Sequence, residues 1–270
     1  MVFPLIVKDQ MGFTHHFKQY PQRIVSLVPS QTKLLIDLGL KDRLVGRTKF
    51  CIHPKQILAS IPSVGGTKNF HLDRIKTINP DLIIGNKEEN DQTLIEKLKL
   101  DYTVWMSDIE NMTDALKMIV QVGEITGFQD KSNEIVGEIE KEISRINHIS
   151  NKISKSQSPS CIYLIWKDPW IAVGHSTFIH NMLELCHFNN VASHLARYPE
   201  ISMQEMQLLK PDYIFLSSEP YPFKEKNVVE LQKIFHDSKI VLVDGEMFSW
   251  YGSRLMKSLP YFQELINELP

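Results

Sequence analysis

Asn79-Pro80-Asp81-Leu82-Ile83-Ile84 returns 131 residues later as Lys210-Pro211-Asp212-Tyr213-Ile214-Phe215. In both places a short helical pattern (His71 to Ile78; Met203 to Leu209) runs into a proline, which cannot continue a helix, and an apolar run follows as a buried strand. After each strand come a polar loop, a helical pattern (Gln92 to Leu98; Val228 to Phe235) and another strand (Tyr102 to Trp105; Ile240 to Val243). The unit ahead of the repeat recurs too. Arg23 to Val28 reads as a strand, Pro29 and Ser30 as a turn, and Gln31 to Leu38 as a helix stopped by Gly39, with a further strand at Leu44 to Gly46. Cys161 to Ile165 is likewise a strand, followed by a loop and the helix Phe178 to Cys186. A single Pro-Asp pair would be coincidence; the same order of strand, loop, helix and strand predicts a duplication, hence an α/β chain of two similar lobes.

Between the copies, Met112 to Ile153 contains no proline and reads as helix, with a break at Gly127. Ile135, Ile139, Ile143 and Ile146 fall on one stripe of an amphipathic helix of about twenty residues, about 30 Å long and able to join two lobes. The expected boundaries are 20–110 for the first lobe, 111–153 for the helical connector and 160–270 for the second lobe. Ser154 to Ser160, rich in Ser and Lys and closed by Pro159, is the expected linker.

A length of 270 residues allows either one large domain or two lobes, and the repeat decides for two. Hydrophobic content of 43% and charge of 23% describe a globular chain. Thirty basic against thirty-two acidic residues, a net charge of -2, supply no field for nucleic acid, so a small-molecule partner is expected. The first ten residues do not read as an export leader, because Pro4 and Lys8 interrupt the apolar run. Cys51, Cys161 and Cys186 are too few and too widely spaced for zinc or disulfide frameworks and are expected as reduced, buried thiols.

No phosphate loop, dinucleotide fingerprint, nucleophile elbow or His-Glu-x-x-His pair occurs, and no nucleophile is placed with a base. Gly65-Gly66-Thr67 reads first as a turn needing positive φ. Sixteen aromatic residues lie after residue 160. Trp166 and Trp170 follow one strand, Tyr221 and Phe223 another, and Phe248, Trp250 and Tyr251 a third, all beyond C-terminal strand ends, where open α/β sheets bind ligands. Flat aromatic faces suit a large, partly apolar ligand such as a macrocycle, and Pro169, Pro220 and Pro222 would hold them at low ordering cost. Among ten histidines none shares a ligand-spaced motif with another, so no built-in metal site is expected. His53, His71 and His175, in loops, are candidate axial ligands for a metal already held in a macrocycle, and His15-His16 reads as a surface pair.

The segments Arg23 to Thr32, Leu38 to Gly46, Val64-Gly65-Gly66, Pro80 to Ile83, Trp166 to Trp170 and Gly174 to Asn190 resemble the cobalamin and iron-complex substrate-binding proteins of ABC transporters, the class III periplasmic binding proteins. The resemblance covers about residues 20 to 260. It implies two α/β lobes joined by a single long helix, a ligand held between them, no catalysis and no intrinsic cofactor. It places Ser30 and Thr32 in a first ligand loop, Gly65, Gly66 and Thr67 in a second, Trp166 and Trp170 in a third, Ser218, Tyr221 and Phe223 in a fourth, and Asp244, Phe248, Trp250 and Tyr251 in a fifth. Thr67 departs from the enteric cobalamin binders, which have Trp there. The resemblance further implies docking on a permease through a carboxylate on each lobe. Asp73 fits the first position; the second holds Gln204, with Glu205 beside it.

Three readings follow. The first is the solute receptor of an ABC importer, a monomer that captures a metal-containing macrocycle or chelate, cobalamin-like first, haem or ferric siderophore next. Ser30, Thr67, Ser218 and Asp244 would orient the ligand, and Arg254 is the nearby cation for an anionic one. The second is a cytosolic corrinoid-handling protein or enzyme on the same fold. Family resemblance points to the periplasm; the chain as given, if complete, would be cytoplasmic. Direct Zn or Mn binding, resting on scattered histidines, is a third.

Overall fold

Ahead of the repeat lies an antiparallel hairpin that the strand and helix alternation does not announce, β1 (Leu5–Lys8) paired with β2 (Thr14–Phe17). Its turn is built on Asp9. The fully buried Asp9 carboxylate accepts from the backbone N–H of Met11 (3.0 Å), Phe13 (2.8 Å) and Met106 (3.3 Å), and meets His15 Nε2 at 2.9 Å. His15 is therefore half-buried, and only His16 of the expected surface pair is exposed.

The structure, a computed structural model, describes residues 3–150 and 158–269. The chain divides into two units. The first comprises Met1–Ile109, Thr113–Glu138 and Trp250–Arg254; the second comprises Glu110–Met112, Ile139–Ser249 and Leu255–Pro270. In the first, β3 (Ile24–Ser26) leads into α1 (Pro29–Asp37), β4 (Leu44–Arg47), the short α2 (Lys55–Leu58), α3 (Leu72–Ile78), β5 (Leu82–Asn86), α4 (Gln92–Lys99) and β6 (Val104–Ser107). The sheet is parallel with strand order β4-β3-β5-β6. Every residue of β5 and β6 is buried, as expected of parallel strands covered on both faces, and the core gathers Val25, Leu27, Ile75, Ile83, Ile95 and Val104.

Two helices follow, α5 (Met112–Thr126) and α6 (Gln129–Ser150). The break between them is Gly127, held at φ +83 with Tyr20 so close that a Cβ would fall 2.8 Å from its ring. Along the 22 residues of α6, Ile135, Ile139 and Ile146 are buried and Ile143 half-buried, and the boundary between units passes between Glu138 and Ile139. Most of the Ser154 to Ser160 linker, and the end of the 111–153 connector, lie outside the described residues.

The second unit contains β7 (Ser160–Trp166), β8 (Ile171–Ala172), α7 (Phe178–Leu185), β9 (Asn189–Asn190), α8 (Met203–Leu209), β10 (Tyr213–Ser217), α9 (Glu225–Gln232), β11 (Lys239–Val243), α10 (Gly245–Ser249) and α11 (Leu255–Glu268). Strands β11-β10-β7 are parallel, β9 joins β7 in parallel, and β8 turns back antiparallel on β7. Apart from β8, this is the order of the first sheet.

The repeated residues have a structural purpose in each unit. Asn79 (φ 50) and Lys210 (φ 43) end α3 and α8 in the left-handed conformation, and the proline after each prevents the helix from resuming. Asp81 accepts from the backbone N–H of Gln22 (2.7 Å) and Arg23 (2.9 Å), just before β3. Asp212 accepts from Ser160 N–H (2.7 Å) and Oγ (2.6 Å), at the start of β7. Each aspartate thus sets the start of a neighbouring strand in register with its own. All three cysteines are free and buried, and burial pushes each thiol's pKa up.

Candidate functional site

In the first unit, α1 begins one residue after Val28, with Pro29 in its first turn, so Ser30 and Thr32 are helical rather than in a loop. Thr32 is fully buried. Its hydroxyl lies 2.8 Å from Ser26 Oγ, 2.9 Å from the Val28 carbonyl and 3.0 Å from Cys51 Sγ, so it is core and offers nothing to a ligand. Gly65 sits at φ +121, where an added Cβ would fall 2.8 Å from Phe70 Cα, in agreement with a turn that requires glycine. Gly66 is buried, with its missing Cβ 2.0 Å from Asn69 Oδ1 and 3.5 Å from the Phe50 ring. Thr67 is half-buried, and its carbonyl accepts from Asn90 Nδ2 at 3.0 Å.

Two residues absent from the sequence expectations stand on this edge. Phe50 and Ile52, in the loop after β4, are 50% and 51% exposed, and Phe50 borders the Gly66 turn. The signal in the sequence is an aromatic residue just past a strand end.

Trp250 and Tyr251 also belong to the first unit, where they are buried rather than presented as ligand platforms. Trp250 meets the His53 ring edge-on at 5.7 Å, with the Arg254 guanidinium 5.5 Å from its centre. Burial first, and then the charge of Glu89 and Glu88, drives the Tyr251 pKa well up. Gly252 (φ +97) lets this segment lie close against Ser30 and Leu34 of α1. His71 precedes α3, exposed and close to Gly65.

In the second unit, Trp166 at the end of β7 is 39% exposed and has Tyr221 edge-on at 5.7 Å. Trp170 is half-buried and stacks on Phe223 at 6.0 Å with the rings 5° apart, while Phe223 itself is core. Ser218 is exposed, and its Oγ accepts from Gly245 N–H at 2.9 Å. Asp244 is half-buried with Oδ1 on the Glu246 N–H (3.0 Å). Phe248 is fully buried. It packs on Phe262 (4.7 Å) and Tyr163 (5.1 Å) as part of the hydrophobic interior, where the sequence had suggested a ligand face.

His175 lies elsewhere. Because β8 runs antiparallel to β7, the chain after it heads back toward the start of β7; Val173 N–H reaches the Tyr163 carbonyl, and His175 follows beside Ala196. That carries it away from Trp166. Gly174 is required there, since a Cβ would fall 2.1 Å from the Leu195 carbonyl oxygen. Among the described residues no three His, Cys, Asp or Glu side chains converge as a metal site.

Of the expected docking residues, Asp73 is exposed in the first turn of α3 and Gln204 in the first turn of α8. Glu205, beside it, is exposed too. Its Oε2 accepts from Ser202 N–H (2.7 Å) and Oγ (2.6 Å), a capping box that lowers its pKa and holds the exposed carboxylate at the start of α8.

With this geometry in hand, the chain was compared with known proteins. The sequence model of the family described as periplasmic binding protein matches residues 24–237. An uncharacterized ABC transporter substrate-binding lipoprotein of Bacillus subtilis is 26% identical over 98% of this chain and 86% of its own length. A vitamin B12-binding protein of Photorhabdus laumondii is 20% identical over 95% of this chain and 92% of its own. The apo form of a periplasmic haem-binding protein of Roseiflexus superposes with a TM-score of 0.80 at 18% identity, covering 92% of this chain and 98% of that one. Family members are binding proteins and not enzymes, which removes the enzymatic reading. The chain belongs to the periplasmic binding protein family, with the class III fold of two similar α/β lobes.

Proposed function

We propose that this chain is the substrate-binding component of an ABC importer and that its cargo is a metal-containing macrocycle or chelate, cobalamin-like before haem or ferric siderophore. The observation that carries this reading is the exposed Trp166 face with Tyr221 at its edge, beyond a parallel strand where α/β sheets take ligands. Phe50 and Ile52 give the first unit its own exposed apolar edge. The B12-binding relative and the haem-binding structural neighbour support a planar chelate as cargo. The metal arrives with the cargo and is not a cofactor of the protein. Trp166, Tyr221 and Phe50 supply stacking, and Thr67, Ser218 and Asp244 supply polar contacts. Asp73 and Gln204 face the permease, and the receptor works outside the cytoplasm as a monomer.

The test is a titration of purified protein with cyanocobalamin, haemin and ferric chelates, followed by tryptophan fluorescence. Quenching by at least one of them at about 10 μM, corresponding to ordinary receptor affinity, is expected. No quenching by any of them overturns the reading.

A further inference from the structure

Four buried polar side chains close the strand ends of the first unit. Gln31 in α1, Asn86 at the end of β5, Asn90 just beyond it and Ser107 at the end of β6 are each 3% exposed or less. Asn90 uses both ends of its amide. Its Oδ1 accepts from the Asn86 N–H (2.9 Å), while Nδ2 donates to the Leu27 carbonyl (3.3 Å), just past β3, and to the Thr67 carbonyl (3.0 Å). A backbone N–H only donates and a carbonyl only accepts, so these partners fix which way the amide points. Gly85 lies against it, where a Cβ would fall 2.7 Å from Asn90 Oδ1. Asn86 Oδ1 accepts from the N–H of Glu88 (2.8 Å) and of Glu89 (3.1 Å). Its Nδ2 donates to Ser107 Oγ (3.0 Å), which also accepts from Gln31 Nε2 (2.6 Å).

The fold does not require this network. Counted by the 131-residue repeat, Asn86 corresponds to Ser217 and Asn90 to Tyr221, and the second sheet takes the same parallel order with no amide at either position. Apolar side chains of similar shape close such an interior with no polar group left to pair. What paired amides add is a fixed position for the backbone they hold. The backbone held here is the turn in which Gly65 sits at φ +121 and Gly66 has its missing Cβ 2.0 Å from Asn69 Oδ1. Thr67 gives its carbonyl to Asn90, and its hydroxyl has no hydrogen-bond partner among the described residues. A half-buried hydroxyl without a partner, on a backbone pinned from behind, is ordered in advance for an incoming polar group.

We infer that Asn90 is a positioning residue of the receptor: through the Thr67 carbonyl it sets the turn from which the Thr67 hydroxyl meets cargo. This rests on the proposed receptor function and names the residue that orders one of its polar contacts. The experiment titrates the full chain with cyanocobalamin, haemin and a ferric trihydroxamate, following tryptophan fluorescence. It compares wild type, Thr67→Ala, the nearly isosteric Asn90→Leu, and the double variant, each checked for a cooperative melting curve. Each single substitution is expected to weaken the probe that binds about fivefold, the fold-change of one lost hydrogen bond. In the Thr67→Ala background, Asn90→Leu is expected to add less than about twofold, because its effect runs through Thr67. A purely structural role would lower stability and leave no such coupling. If Asn90→Leu does not fold, hydrogen exchange on the unmutated chain decides. Bound probe should slow exchange in Gly65 to Phe70 and also at the N–H groups of Asn86, Glu88 and Glu89, whose acceptors are Asn90 Oδ1 and Asn86 Oδ1. Unchanged affinity in Asn90→Leu, the same fivefold loss in both backgrounds, or slowing confined to the turn overturns the inference and leaves the receptor reading standing. Silence of the wild type with all three probes overturns the receptor reading, and the inference with it.

Discussion

Removing the Asp212 carboxylate tests whether the Pro-Asp repeat is a strand clamp. In Asp212→Ala, Ser160 loses the acceptor of its N–H (2.7 Å) and of its Oγ (2.6 Å), and the partner that holds that hydroxyl in place for the Asp212 N–H (2.9 Å) is gone. Hydrogen bonds to a charged group contribute about 1.5–3 kcal/mol each when shielded; Asp212 is exposed, so solvent competition reduces the pair to about 2 kcal/mol in total. Asp81→Ala removes acceptors at 2.7 and 2.9 Å from Gln22 and Arg23 and is expected to cost a similar amount. The pH dependence has a definite sign. The Ser160 hydroxyl first, then its N–H, hold the Asp212 pKa below its ordinary value, so the stabilisation is full above the unfolded-state pKa of about 3.9 and is lost as pH falls through the folded value. Urea unfolding, followed by fluorescence and circular dichroism, is the assay. The gap between wild type and Asp212→Ala should be about 2 kcal/mol at pH 7 and clearly smaller at about pH 3. A cost under about 0.5 kcal/mol at pH 7, or a gap that does not shrink with acid, refutes the clamp.

Three further outcomes separate core from ligand surface. Phe248→Ala should cost about 3–5 kcal/mol in urea unfolding, since it empties a fully buried ring site, whereas Trp166→Ala, at a 39% exposed ring with Tyr221 on its edge, should cost about 1–2 kcal/mol yet weaken cargo binding about tenfold in the fluorescence titration. Gly174→Ala must displace the Leu195 carbonyl, 2.1 Å from the new Cβ, and should lower stability by about 3 kcal/mol or more, read as a lower melting temperature. The three buried thiols should be silent to an aromatic disulfide reagent in the native protein and all react in guanidinium; rapid native reaction of any one contradicts its burial.

The fold was legible because its signals are local. A left-handed cap, a proline, an aspartate and an apolar strand occupy consecutive positions, so Asn79 to Ile84 and Lys210 to Phe215 correspond residue by residue, and α8 over Met203–Leu209 has the ends that the sequence suggests. The hairpin β1–β2 was not legible. Its second strand is Thr14-His15-His16-Phe17, with one apolar residue, and what holds it is a long-range contact, Asp9 to the Met106 N–H, which no periodicity encodes. The same holds for α1: the reading put a turn at Pro29 and Ser30, but proline is at home in a helix's first turn, so the helix simply starts earlier.

The site was half legible, and the reason lies in what a strand-end rule measures. It locates a residue along the chain, not the direction its side chain takes. Trp166 is the last residue of β7 and remains exposed; Phe248 follows β11 by five positions, but it lies in α10 and turns its ring onto Phe262. Trp250 and Tyr251 continue the same segment and pack into the first unit, with Tyr251 against Ser30 and Ser107. One run of aromatic residues therefore splits between the interiors of two units. Its density had suggested a ligand surface, but dense aromatic content is what closes an interior, and a ligand face is better sought where an aromatic stands with few apolar neighbours in sequence. Phe50 follows Thr48 and Lys49 in the loop after β4, and Trp166 is followed by Lys167 and Asp168, so in both places the chain turns polar on one side of the ring. These two are the positions at which substitution should change cargo affinity at a smaller cost in stability than at Phe248, because each ring is only partly buried.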